Sequence, residues 1–329
     1  MKRFFITLLV LILFAATGAV AAAFMLDRWF KGAGPLPEDV IVFIEPGTGF
    51  SAIADILASN RVIDDPLKFK LMALWTKDQS KAKAGEYQFS AGMSPSAVLQ
   101  VLVKGESITH AVTIPEGLTV RDIAVLLMAD KRLTGAVPVT LQDGAIMPST
   151  YYIHRGDSRE ALVERMQREL QQVSAELWPK RQQNLPFSTL AEAMVLASVV
   201  EKETGLPEER GRVAAVFVNR LRKGIPLQSD PTVAYGIELA NNAPLGRALT
   251  HADLAVDHPF NTYVHKGLPP SPICNPGRAS LEAVLNPPST DEYYFVATGT
   301  GGHNFAKTIQ EHNQNVTRYR TALRQQRQQ

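Results

Sequence analysis

The sequence predicts an α+β protein in three parts: an N-terminal transmembrane helix, a small β/α module, and a larger, mainly helical region with short strands. Three observations carry this. An uncharged run from Phe4 to Leu26 opens the chain. Short strand-like runs, each followed by a glycine turn and an amphipathic stretch, recur between residues 40 and 127. Beyond residue 150 apolar residues return at the helical period over long segments. The boundaries read as anchor 1–26, linker 27–38, small module 39–108, larger region 109–322 and polar tail 323–329.

A chain of 329 residues has room for an anchor and two modest domains, each with its own core. Hydrophobic residues at 45% and charged residues at 20% describe globular rather than disordered protein. A net charge of +2, with no Lys/Arg stripe interleaved with aromatics, argues against nucleic acid as a partner. The single cysteine, Cys274, excludes an intramolecular disulfide and any multi-cysteine metal site.

The N-terminal run is long enough at helical rise to cross the ~30 Å hydrocarbon core of a bilayer. Ala19-Val20-Ala21 fits a signal-peptidase site. The continuation to Leu26 and the flank Trp29-Phe30-Lys31 fit an uncleaved anchor better. Either way Lys2 and Arg3 stay cytoplasmic and the rest is exported. The expected location is the inner membrane, single-pass, with the bulk of the chain periplasmic.

Gly32 to Pro37 reads as the linker, and Val40–Glu45 as the first strand, closed by Pro46-Gly47. A weak repeat follows. Gly47 precedes Ile53-Ala54-Asp55-Ile56-Leu57 by six residues, and Gly117 precedes Ile123-Ala124-Val125-Leu126-Leu127 by the same interval. A looser copy runs from Gly92 to Leu102, with the remaining strands at Gly85–Ser90 and His110–Pro115. Such units recur widely without shared purpose. Their spacing also resembles a LysM-like carbohydrate-binding module, with helix Pro66–Trp75 filling its middle.

Further on, Arg159–Leu177 alternates charged and apolar residues as a half-exposed helix. Thr189-Leu-Ala-Glu192 is a capping-box pattern before the apolar stretch Ala193–Val200. Gly211–Leu221 has the spacing of a core-facing helix, and residues 225–310 are rich in Pro, Gly, Asn and Tyr, as loops and short strands are. Turn-rich segments on a helical scaffold are a common setting for a substrate cleft.

The apolar helix ends in Glu201-Lys202-Glu203. A carboxyl at the tip of a buried helix is costly to ionise, which suits an acid that must hold its proton near neutral pH. Leu190, Met194, Ala197 and Glu201 share one helical face; Leu196, Val199 and Glu203 share another, equally apolar. Periodicity nominates the pair and does not choose between its members.

The stretch Leu196-Ala-Ser-Val-Val-Glu-Lys-Glu-Thr204 closely resembles the signature of the endolytic murein transglycosylase (YceG-like) family. So do Val216-Phe-Val-Asn-Arg-Leu221, Leu227-Gln-Ser-Asp-Pro-Thr-Val-Ala-Tyr-Gly236, Asn261-Thr-Tyr263, Gly267-Leu-Pro-Pro270, Asn275-Pro-Gly277, Tyr294-Phe-Val296 and Gly301-Gly-His-Asn-Phe305, in the family's order. The resemblance implies a lysozyme-like catalytic region that cuts nascent peptidoglycan between N-acetylmuramic acid and N-acetylglucosamine. It also implies a 1,6-anhydromuramyl end, a catalytic glutamate at Glu201, no metal or other cofactor, and partnership with peptidoglycan synthases (penicillin-binding proteins). One carboxyl group suffices for such a reaction, because the sugar's own C6 hydroxyl is the nucleophile.

For substrate contact the family pattern points to Gln228, Asp230, Thr232, Tyr235, Asn261, Thr262, Tyr263 and His303. Each has a plainer role open to it: a helix cap for Asp230, ring packing for the tyrosines, a turn after Pro259 for Asn261 and Thr262, a local partner for His303. None of the histidines has metal-ligand spacing with a carboxylate. Asp143-Gly-Ala-Ile-Met-Pro-Ser-Thr-Tyr151 departs from the family's usual Glu-Gly-Tyr-Leu-Phe-Pro-Asp-Thr-Tyr. Two rival functions remain from sequence: a muramidase using the same glutamate with an activated water, and a non-catalytic glycan-binding scaffold.

Overall fold

A computed structural model describes residues 2–299 and 301–326. About half of the chain is helical and the strands are short and paired in twos, so the mixed helix-and-strand expectation holds. The chain divides into two compact units, Met1–Ala111 with Arg132–Thr134 and Tyr152–Asp157, and Val112–Lys131 with Gly135–Tyr151 and Ser158–Gln329.

The first unit runs α1 (Lys2–Lys31), β1 (Val40–Ile44), α2 (Phe50–Ser59), α3 (Pro66–Trp75), β2 (Gly85–Phe89) and α4 (Pro95–Lys104). β1 and β2 are antiparallel, with Val40 opposite Phe89 and Ile44 opposite Gly85. Strand alternation sends Val42, Ile44, Tyr87 and Phe89 into a core completed by Ile53, Leu57, Phe69, Leu99 and Leu102. The charged residue buried in this unit is Glu86. Burial alone would push its carboxyl up, but bonds to His110 (2.5 Å) and Arg155 (3.0 Å) outweigh that and hold it below the ordinary range.

α1 is long and apolar enough to cross a membrane, and its apolar window is entirely exposed. The segment read as a linker is packed. Phe30 and Leu36 are buried in the first unit's core, Trp29 Nε1 donates to Asp64 (2.9 Å), and Gly34 lies so close to the Met93 carbonyl that a Cβ would sit 2.2 Å from it.

β3 (Thr109–Thr113) pairs with β4 (Thr150–His154), and residues of both strands belong to each unit. The second unit adds α5 (Val120–Ala129), α6 (Arg159–Leu177), α7 (Leu190–Glu203), α8 (Pro207–Lys223), α9 (Asp230–Asn241), α10 (Arg278–Leu285), β5 (Tyr294–Ala297), β6 (His303–Ala306) and α11 (Ile309–Gln326). Every residue of α7 from Ala193 to Val200 is buried, between α8, α10 and neighbouring loops. Buried Arg159 ties α6 to the end of α5 through the carbonyls of Leu127, Asp130 and Gly135 (2.7–2.8 Å).

Residues 225–310 hold two helices, α9 and α10, where loops and strands were expected. Pro231 in the first turn of α9 needs no hydrogen bond for its missing N–H, so it starts the helix rather than breaking it. The polar tail is helical as far as Gln326, and residues 327–329 lie outside the described residues.

α7 begins with the capping box read from the sequence: Thr189 Oγ1 accepts from Glu192 N (3.2 Å) and the Glu192 carboxylate accepts from Thr189 N (2.9 Å). Thr189→Ala is expected to lower stability by about 1 kcal/mol, measured by denaturant unfolding of the full chain in detergent.

Candidate active site

The helical turn of about 100° per residue sends Glu201 and Glu203 to opposite sides of α7. What periodicity leaves open, the structure supplies: the surroundings that each carboxyl meets.

Glu203 faces a cavity of about 380 Å³ lined also by Arg220, Gln228, Asp230, Tyr263 and Phe295. Its Oε1 accepts from Ser229 Oγ (2.5 Å), a buried hydroxyl at the N-terminus of α9. Burial pushes the Glu203 carboxyl up to about 7; the Ser229 bond opposes this, nearby Asp230 adds to it and Arg220 opposes it. Arg220 is itself buried and spends its guanidinium on backbone carbonyls, Nε on Tyr293 (2.6 Å) and Nη1 on Leu227 (2.8 Å), with a longer bond to Gln228 Oε1 (3.3 Å). Gln228 holds a left-handed backbone (φ +50), uncommon for a residue with a side chain.

Asp230 is exposed, lies in the first turn of α9, and accepts from Tyr263 Oη (2.6 Å) rather than capping the helix. It also borders a second cavity of about 500 Å³, lined by Arg121, Lys202, Ala234, Tyr235 and Glu238. Asp230 lines both cavities.

Glu201 lies elsewhere. Its Oε2 accepts from Gly277 N (2.9 Å), and the Glu116 side chain packs where a Cβ at position 277 would be. Burial, and then the charge of Glu201, push the Glu116 carboxyl up, while Arg210 opposes the rise. Lys202 Nζ donates to the Gly117 carbonyl (3.3 Å).

Of the residues expected at the substrate, the structure gathers Gln228, Asp230 and Tyr263 around Glu203. Tyr235 lines the second cavity, donates its hydroxyl to Asp143 Oδ2 (2.7 Å) and packs against Phe260. Thr232, Asn261 and Thr262 are buried and hydrogen-bonded within the protein. Thr262 Oγ1 accepts from Ser229 N (3.0 Å) and meets Thr232 Oγ1 (2.9 Å), and Asn261 Nδ2 donates to the Val256 carbonyl (2.7 Å). They brace the wall that carries Ser229. His303 takes the local-partner role: its Nδ1 and backbone N both contact the Glu209 carboxylate (2.7 Å each). Among the described residues, no group of three or more His, Cys, Asp or Glu side chains forms a metal-ligand set.

The profile of the YceG-like family matches residues 42–318. The chain belongs to that family. A Bacillus subtilis protein named endolytic murein transglycosylase is 30% identical over 312 residues, covering 85% of this chain and 84% of the relative. A Streptococcus pneumoniae protein of the same name is 28% identical over 367 residues, covering 97% of this chain, which spans 65% of that relative. A crystal structure of a YceG-like protein from Listeria monocytogenes superposes with a TM-score of 0.54 at 28% identity, covering 84% of this chain and 98% of that one.

In this YceG-like chain, Ser229, Arg220 and Glu116 are the site residues that sequence reading left unassigned. Ser229 and Arg220 stood inside the motifs Leu227–Gly236 and Val216–Leu221, and only burial distinguishes them there.

A carboxyl raised from 4.5 to about 7 binds its proton more tightly folded than unfolded, so its contribution is whole below pH 4.5 and lost as pH rises through 7. Glu203→Gln, which cannot ionise, is expected to match the wild type near pH 4 and to exceed it in stability above pH 7 by about 3 kcal/mol. Unfolding curves at several pH values, with carboxyl-labelled NMR of the wild type, measure both the difference and the titration midpoint.

Proposed function

We propose that this chain is an endolytic murein transglycosylase, with Glu203 as its acid and then its base. The observation that carries the reading is the buried carboxyl of Glu203 facing a cavity lined by Gln228, Asp230 and Tyr263, where burial raises its affinity for a proton. A neutral Glu203 can protonate the leaving glycosidic oxygen. The resulting carboxylate, held by Ser229 and tempered by Arg220, can take the proton of the muramyl C6 hydroxyl as it attacks C1. The product is a 1,6-anhydromuramyl end. Gln228 and Tyr263 line the cavity and offer an amide and a phenol ring to a glycan.

Sequence resemblance points to Glu201 for the acid. The cavity, the proton affinity and the gathered residues support Glu203 instead, with Glu201 holding the end of α7 through Gly277. A muramidase reading keeps one supporting observation, the second carboxylate Asp230 beside Glu203.

The remaining elements of the proposal follow from position. α1 acts as a single membrane span, with the rest of the chain periplasmic. Residues 39–108, in the order β1-α2-α3-β2-α4, serve as a LysM-like module and 109–322 as the catalytic region. The enzyme then works beside peptidoglycan synthases on strands still near the membrane.

On purified glycan strands, Glu203→Gln is expected to lose about 10²- to 10⁴-fold in rate, and Glu201→Gln far less; the reverse ranking would return the role to Glu201. Mass spectrometry of the wild-type products is expected to give anhydromuramyl ends. Reducing ends alone would move the assignment to a muramidase.

A further inference from the structure

The first unit carries an apolar surface that its own fold leaves uncovered. On α3, Leu67, Leu71, Leu74 and Trp75 are 65%, 49%, 56% and 81% exposed, while Phe69, Met72 and Ala73 on the other side are buried. Positions 67, 71 and 74 fall on one helical face, and Trp75 extends it at the C-terminal end. Single exposed apolar residues are ordinary; four together on one short helix are not.

The position of α3 names what covers them. Only the last turns of α1 are built into the first unit, through Leu26, Trp29 and Phe30. Trp29 is where α1 meets α3: its indole nitrogen donates to Asp64, just before the Asp65 cap of α3, and Lys68 holds its ammonium 5.5 Å from the ring centre. Trp29 lies three residues beyond Leu26, the end of the uncharged run, or about 4.5 Å at helical rise. The first turn of α3 is thus held at the depth where headgroups meet acyl chains, the layer that tryptophan and long lysine stems favour. Lys68, Lys70 and Lys81 have acidic partners in Asp65, Asp55 and Asp78, and the face itself is made of Leu67, Leu71, Leu74 and Trp75, so its attraction is chiefly apolar burial.

We infer that the Leu67, Leu71, Leu74 and Trp75 face of α3 seats the first unit on the outer surface of the bilayer, within the interfacial layer. The inference rests on the proposal that α1 spans that bilayer.

The test uses the full chain in nanodiscs of phosphatidylcholine, with the Trp75 signal taken as the difference between wild type and Trp75→Phe. Lipid brominated at shallow acyl positions is expected to quench the Trp75 component about twofold, as for an interfacial indole, while aqueous iodide leaves it largely unaffected. Leu71→Asp, on an exposed position that leaves the core intact, is expected to shift Trp75 emission to the red and restore iodide access. Iodide quenching of wild-type Trp75 without any effect of brominated lipid would overturn the inference and leave the face to water or a protein partner. Failure of the chain to co-elute with the discs would instead refute the spanning role of α1, and the seating with it.

Discussion

Eight consecutive buried residues in α7, Ala193 to Val200, leave that helix almost no surface on which to place a polar atom. Its one internal hydroxyl, Ser198, donates to the Val195 carbonyl (2.7 Å) and accepts from Ile273 N (3.0 Å), so a loop is stitched onto the middle of the helix. The same loop carries Asn275, fully buried, whose side chain accepts from Gly144 N (3.0 Å) and donates to the Leu118 carbonyl (3.0 Å). A buried amide left unpaired would cost about 1–3 kcal/mol, so these segments are held in one arrangement. Gly277 N–H then meets Glu201, and the last turn of α7 is fixed with Glu203 on its far side. Burying the helix is what fixes its chemistry.

The electrostatics around Glu203 depend on the same packing. Arg220 sits close enough to matter, yet its donors are committed to the carbonyls of Tyr293 and Leu227, so it lowers the proton affinity of Glu203 without forming an ion pair that would abolish it. Ser229 acts in the same direction from the other side, and its own backbone is held by Thr262. Thr262, one of the residues expected at the substrate, is in the structure the partner of the Ser229 backbone.

Much of the architecture could be read directly. Helices over Pro66–Trp75 and Arg159–Leu177, and the Thr189 capping box, were legible because cap chemistry and the 3.6-residue period are local properties. α9 was not, since Pro231 and the surrounding turn residues obscure its start. At the candidate site, the motifs do not tell which side chains face the cavity. Thr232, Thr262 and Asn261 are polar and lie beside Asp230 and Tyr263 in sequence, yet they are buried, and sequence spacing does not report depth. Periodicity does not choose between Glu201 and Glu203 because both faces of α7 are apolar; what differs is the partner each meets, Gly277 from one loop and Ser229 from another.

The unbroken run of α1 into a packed end has a mechanical meaning. A flexible tether would let the first unit tumble and wander in height above its anchor. Here the last turn of α1 is part of that unit's own core, with Phe30 and, beyond the helix, Leu36 inside it. Any tilt or rotation of α1 is therefore passed directly to the first unit as a change of pose. The unit behaves as the head of a lever whose shaft is α1, and a protein that grips the shaft would steer the head.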